Sequence, residues 1–198
     1  MLELLIMGGW VMAPLLLCSL IAVTIIAERL LFFRRATATA GGEQVLQLTA
    51  AGNSGQALQL LAAAPQPLLK VLKAGIEQPA SPAKAMEAAA VAEIAGMKRG
   101  LPVLDTIITL SPLLGLLGTI IGMIDSFQIM AVAGSGQPHA VTGGVAEALI
   151  ATAGGISVAV ATLVPYNYLL AQVERETERI EEYATRLELS LQAAEAGK

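Results

Sequence analysis

The sequence predicts an all-α membrane protein with three transmembrane helices, and three observations predict it. Three stretches long enough to cross a bilayer carry almost no charge, charged residues gather between and after them, and the basic ones flank the spans on alternating sides. Of the 198 residues 55% are hydrophobic and only 14% charged, so a water-soluble fold would have to bury runs that lack a polar face. About 20 apolar residues at 1.5 Å each cover roughly 30 Å of hydrocarbon, and each stretch meets that length.

The first transmembrane helix is assigned to 1–30. Positions 4–27, LLIMGGWVMAPLLLCSLIAVTIIA, hold no charge. A cleaved signal peptide would carry its positive residues ahead of such a run; here Glu3 precedes it and Arg29, Arg34 and Arg35 follow, which predicts a retained helix. The LLLCS around Cys18 is a poor lipoprotein cleavage site, because a Leu stands directly before the Cys. Trp10 suits an interface, and Pro14 is close enough to the helix start to be tolerated or to kink it.

Residues 31–100 read as a cytoplasmic helical region. Short patterns such as EQVLQLTAAG, GQALQLLAAAP and PLLKVLKAGIEQ alternate with Gly and Pro breakers, and Ser81-Pro82 opens a long Ala-rich helix up to Lys98. Lys70, Lys73, Lys84, Lys98 and Arg99 against Glu43, Glu77, Glu87 and Glu93 keep it in water, as a small bundle that offers a docking surface.

The second transmembrane helix is placed at 101–130, with no charge between Asp105 and Asp125. Ser111, Gly115, Gly118, Thr119, Gly122 and Ser126 recur at spacings of three and four, which lines them along one helix face and lets a second backbone approach closely. Pro112 predicts a bend, since it removes one backbone donor. A short periplasmic loop is expected at 131–142, with His139 as a bystander. The third transmembrane helix is assigned to 143–173; its uncharged run from Ala148 to Val173 spans about 40 Å and should project past the membrane. It is rich in small residues, Gly155 among them; Pro165 can end or kink it, and Tyr166 and Tyr168 suit an interface. The tail at 174–198 alternates Glu174, Arg175, Glu178, Arg179, Glu182 and Arg186, the pattern of a solvated cytoplasmic helix with i,i+4 pairs.

Arg29, Arg34 and Arg35 follow the first span, Lys98 and Arg99 precede the second, and Arg175 and Arg179 follow the third. The positive-inside bias therefore gives an N-out, C-in topology, with the long helices extending into a cytoplasmic helical bundle. A net charge of −4 without a basic cluster leaves no footprint for nucleic acid, and a single Cys with a single His supports neither a disulfide framework nor a transition-metal site. No catalytic constellation appears in residues 36–100.

One residue is out of place in hydrocarbon. Glu147 must take up a proton, face a polar cavity, or lie at the outer interface and merely cap or pair. Its helical stripe of Ala151, Gly155 and Val158 is narrow enough to leave room for water or a partner. Thr152 lies about 140° round the helix from it, and Thr119, on the small face of the second helix, can orient water or a partner's acid. Three spans do not enclose a pore alone, so a channel requires an oligomer, packed through the small faces. A structural scaffold with Glu147 salt-bridged to a partner is the alternative from another class, though it gains little from hydroxyls facing its centre.

SPLLGLLGTIIGMIDSF at 111–127 followed by GGVAEALIATAGGISVAVATLVPYN at 143–167 resembles the paired signatures of the MotA/TolQ/ExbB proton channel family. The three-span arrangement is most similar to its ExbB and TolQ branches; MotA-type subunits have four spans and a larger insertion. The early start of the first span leads to the expectation that the long outer extension of some ExbB proteins is missing here. The resemblance implies a pentamer in the bacterial inner membrane, whose second and third helices line a pore around two copies of an ExbD/TolR-type one-span protein with an essential Asp. It places Glu147 as the pore-facing acid of the third helix, Thr119 as the polar residue of the second and Thr152 as the threonine of the third; Ser111, Gly115, Gly118, Gly122 and Gly155 are packing positions by their spacing and small size. It implies that inward proton flow moves the inner helices and that the motion passes to a TonB- or TolA-type periplasm-spanning protein. ExbB-type energising of TonB-dependent import is favoured, with a TolQ-like role in the Tol-Pal envelope system as the alternative.

Overall fold

The computed structural model describes residues 8–36, 41–62, 64–133 and 138–196, with the backbone alone at 35–36, 132–133, 138–141 and 194–196. The His139 side chain therefore lies outside the described residues. Among the described residues all regular structure is helical: α1 Met12–Ala36, α2 Gly42–Ala50, α3 Ser54–Leu61, α4 Pro67–Glu77, α5 Pro82–Met97, α6 Leu101–Ala133 and α7 Pro138–Ala196. Among the described residues, three helices are long and apolar enough to cross a membrane. It divides into two compact units, an apolar one ending at Ala27 and resuming at Gly100–Tyr168, and a polar one from Glu28–Arg99 with Leu169 onward.

In the apolar unit α1 begins with a turn at Gly9, whose φ of 70° is a left-handed conformation that glycine adopts without steric cost. Its carbonyl accepts from the Met12 N–H at 3.1 Å, so Pro14 sits in the first helical turn, where its missing donor is not needed. Gly100, with φ 82°, starts α6 in the same way, and a Cβ there would come 2.8 Å from Ile25 Cγ2. Pro112 and Pro165 both lie inside helices that continue through them; α7 thus runs on where the sequence allowed an end. The connection is shorter than the sequence suggests, because α6 reaches Ala133 and α7 starts at Pro138.

The small faces of α6 and α7 meet each other. A Cβ on Gly115 would come 3.0 Å from both Ala151 O and Thr152 Cα, one on Gly122 3.0 Å from Ala148 Cβ, and one on Gly155 would strike the Ser111 carbonyl. Gly118 meets Ala151 and also Val11, the residue just ahead of α1. This corrects the expectation that these faces pack the oligomer: within one chain they are already occupied, because backbones without side chains between them gain dispersion contacts along the whole seam. Val11, Met12 and Leu15 complete the packing against Leu114 and Ile121, while Leu20, Leu116, Ile120 and Val164 point outward.

The polar unit packs with larger side chains. Val45, Val71, Leu72, Met97, Leu169, Val173, Ile180 and Leu187 are fully enclosed. Local signals set its helix ends. Gly52, at φ 76°, follows α2 with the Gly52 N–H on Thr49 O and the Asn53 N–H on Leu48 O, the paired bonds that close a helix around a left-handed glycine. Pro67 and Pro82 occupy the first positions of α4 and α5; Ser81 precedes the latter without a side-chain capping bond. Gly75 lets α4 close on Met86 of α5, and Lys70 Nζ bridges to Glu93 at 3.0 Å.

Candidate functional site

The candidate site lies in the apolar unit, where α6 and α7 run in backbone contact with α1 alongside. Thr152 Oγ1 donates across the seam to the Gly115 carbonyl at 3.0 Å. Thr119 Oγ1 donates within α6 to the Leu116 carbonyl at 2.6 Å. Each hydroxyl oxygen keeps lone pairs to accept a proton donor, so each can orient water or an acid without giving up its own bond.

The glycines fix which way these side chains look. Gly118 meets Ala151 and also Val11, so that edge of the seam is the one covered by α1. Thr119 and Thr152 each follow the residue at that contact by one step, about 100° round their helices, which turns both toward the opposite rim. The two threonines therefore share the rim of the α6–α7 seam that faces away from α1, and both are partly exposed there.

Glu147 is on the other side. Its carboxylate reaches Gly9, where Oε1 occupies the space a Gly9 side chain would take. Two neighbours on the same edge of α7 also meet the start of α1: Ile150 lies against Gly8, and Gly154 lies 3.4 Å from Met12 Cε by its Cβ position. Ala151 and Gly155, expected to leave room for water beside Glu147, are buried against α6. The acid's stripe is filled because one turn of α7 has two neighbours, α6 and α1, and the sequence shows only that the stripe is small. The level of Glu147 is also set: its neighbour Ala148 packs on Gly122, 22 residues along α6 from Gly100, or about 33 Å. The acid thus sits at the end of the apolar unit where α1 begins, and Thr152 lies about 7.5 Å further along the helix axis.

Ser111, Gly115, Gly118, Gly122 and Gly155 are all buried in the seam, and the Ser111 hydroxyl has no hydrogen-bond partner among the described residues. Sequence reasoning missed two participants. Gly9 carries no side chain and is marked in the sequence only by the Gly8-Gly9 pair ahead of Trp10. In the polar unit Arg29, counted above as a topology charge, is 5% exposed and donates to the Gly96 carbonyl at 3.0 Å and to Glu28 at 2.7 Å, with Phe32 under its guanidinium. It satisfies a carbonyl in the last turn of α5, where a positive charge also suits the helix dipole.

Outside the spans, Glu43 of α2 accepts from Arg186 Nη1 at 2.7 Å and Nη2 at 3.0 Å and from the Tyr183 hydroxyl at 3.2 Å. The Arg186 hydrogen bonds hold the Glu43 carboxyl below the usual carboxylate range. The tail helix is thus tied to α2 by a tertiary contact, in addition to the Glu182–Arg186 pair at 3.6 Å along the helix.

The MotA/TolQ/ExbB proton channel family matches residues 63–182 of this sequence. The chain is similar to two biopolymer transport proteins of Synechocystis sp., 37% identical to ExbB-like 3 over 190 residues, 92% of this chain and 90% of that one, and 36% identical to ExbB-like 1 over 194 residues, 92% and 75%. It is also 37% identical over 90 residues to the Tol-Pal system protein TolQ of Haemophilus influenzae, covering 46% of this chain and 40% of that protein.

Proposed function

The chain belongs to the MotA/TolQ/ExbB proton channel family, and from that premise we propose that it is an ExbB-type subunit of a proton-driven motor in the bacterial inner membrane. Several copies, five by the pattern of the family, surround the transmembrane helices of an ExbD/TolR-type one-span partner. Proton entry moves those helices, and the motion passes through a TonB-type protein to energise import at the outer membrane. The topology is N-out and C-in, as the flanking arginines favour. The chain is not an enzyme and binds no cofactor; its work is to hold polar groups beside the partner's acid.

The supporting observation is that Thr119 and Thr152 lie on one rim of a glycine seam, on the side α1 leaves uncovered. Hydroxyls there present proton acceptors to a helix lying against α6 and α7. Moving one elementary charge through about 100 mV supplies roughly 2.3 kcal/mol, so a few protons suffice to shift packed helices. The ExbB-type assignment follows the two ExbB-like relatives that align with 92% of this chain; relatives named ExbB and TolQ share only part of it, at 42% and 46% of the chain. Energising the Tol-Pal system is the second reading, favoured by the identity with TolQ through that shared part.

The test is proton flux into liposomes holding the chain and its one-span partner under an imposed potential. The intact complex conducts protons, and Thr119→Val and Thr152→Val lose most of that flux while still assembling. Glu147→Gln tells a proton relay, which loses flux, from an acid that sets the local field, which only changes its voltage dependence. No partner-dependent flux in any complex overturns the channel and leaves a membrane scaffold; flux that none of these variants alters overturns the roles given to Thr119, Thr152 and Glu147.

A further inference from the structure

The geometry points to Gly9 as a positioning residue for Glu147: the missing side chain at the start of α1 is the slot that receives the carboxylate. Two independent features of Gly9 meet there. Its backbone is left-handed, at φ 70°, which an L side chain adopts only with strain. The space its Cβ would fill is taken by Glu147, with Oε1 inside contact distance, Cδ at 3.0 Å and Cγ at 3.5 Å. The Cβ of any residue able to reach positive φ, Asn included, would meet the end of the exposed, flexible Glu147 side chain, so a side chain at this position displaces the carboxylate from its place.

The contacts on either side keep the slot in register. Ile150 lies 3.2 Å from the Cβ position of Gly8, Met12 lies against Gly154, and Val11 lies 3.6 Å from the Cβ position of Gly118. The first turn of α1 is therefore keyed to both α6 and α7 within a few residues of the acid, and a shift of α1 along α7 would carry the slot away from Glu147. The consequence is a division of labour in which the threonine rim serves the partner while the acid answers to the first span. That functional consequence rests on the proton-channel assignment proposed above; the placement of Glu147 against Gly9 does not.

Two measurements test it. In a Cys18→Ser chain reconstituted with its partner, Gly9→Cys with Glu147→Cys forms a disulfide within one chain on mild oxidation, seen as a faster-migrating monomer, whereas Gly9→Cys with Thr152→Cys does not. Absence of the first cross-link, or equal yield of both, overturns the placement. In the flux assay Gly9→Ala lowers proton flux by at least about threefold in assembled complexes. Combining it with Glu147→Asp, which withdraws the carboxylate by one methylene, recovers flux above that of Gly9→Ala alone. A loss that Glu147→Asp does not relieve, or no loss at all, overturns the positioning role. If the unaltered complex conducts no protons, the channel proposal fails, and the cross-link still decides where the carboxylate sits.

Discussion

In the polar unit Leu72, Leu169, Ile180 and Leu187 are fully enclosed, whereas in the apolar unit the closest contacts run through Gly115, Gly122 and Gly155, and Leu20, Leu116 and Ile120 face outward. Large aliphatic side chains such as Leu15 and Leu104 are enclosed in the apolar unit as well, so the difference lies in the glycine contacts that accompany them. Where water surrounds the bundle, burying a large aliphatic side chain removes apolar area from water and is worth about 1.5–3 kcal/mol. Where lipid surrounds it, a leucine gains less by turning inward, so close backbone approach along small residues adds to the attraction.

The sharpest break of this contrast pairs two leucines. Leu72→Ala removes a fully buried side chain and is expected to destabilise the polar unit by about 2–5 kcal/mol, while Leu116→Ala, at an outward position of the apolar unit, changes stability by less than about 0.5 kcal/mol. Denaturant unfolding of the purified protein in detergent reads both; similar losses would abolish the distinction between the units.

Enlarging a small residue should do in the apolar unit what shrinking a large one does in the polar unit. Gly155→Val places two methyl groups against the Ser111 carbonyl, which is backbone and cannot swing aside, and is expected to cost about 1–3 kcal/mol. Gly143→Ala, at a glycine with open space around its Cβ position, is the matched control and leaves the unfolding midpoint in place. A harmless Gly155→Val would mean that the seam does not hold the unit together.

The smallest expected effect sharpens the comparison through charge. Glu43 is held below its ordinary value of 4.5, first by its hydrogen bonds from Arg186. A carboxylate lowered in the folded state contributes stability that is complete above that ordinary value and is lost as the pH falls through the lower, folded value. The difference in unfolding midpoint between the parent chain and Glu43→Gln should therefore be small at neutral pH and vanish in acid, because the group is exposed and solvent screens it. A difference that grows in acid would contradict the assignment.

The helices and the glycine seam were legible in the sequence because their signals are local. A run without charge, a Pro at a first helical position, or glycines three and four apart each act within a few turns of the chain. The orientation of Glu147 was not legible in the same way. Periodicity placed it on a stripe with Ala151 and Gly155, but that stripe looks the same whether it faces water, a partner or α1. Arg29 likewise read as one of three arginines after a span, and only the approach of α5 makes it a buried donor to Gly96. The link from Glu43 to Arg186 joins residues 143 apart, a pairing that no local pattern encodes.

The sequence by itself determined the fold class, the three spans and the small-residue faces, since each follows from hydrocarbon rejecting charge and from helical periodicity. Only the tertiary structure decided that those faces are spent within one chain, that Thr119 and Thr152 share the rim opposite α1, and that Glu147 lies against Gly9. The physical reason is that a helix has several faces and its sequence ranks them by polarity and size; which neighbour occupies each face is settled by how three helices pack at once.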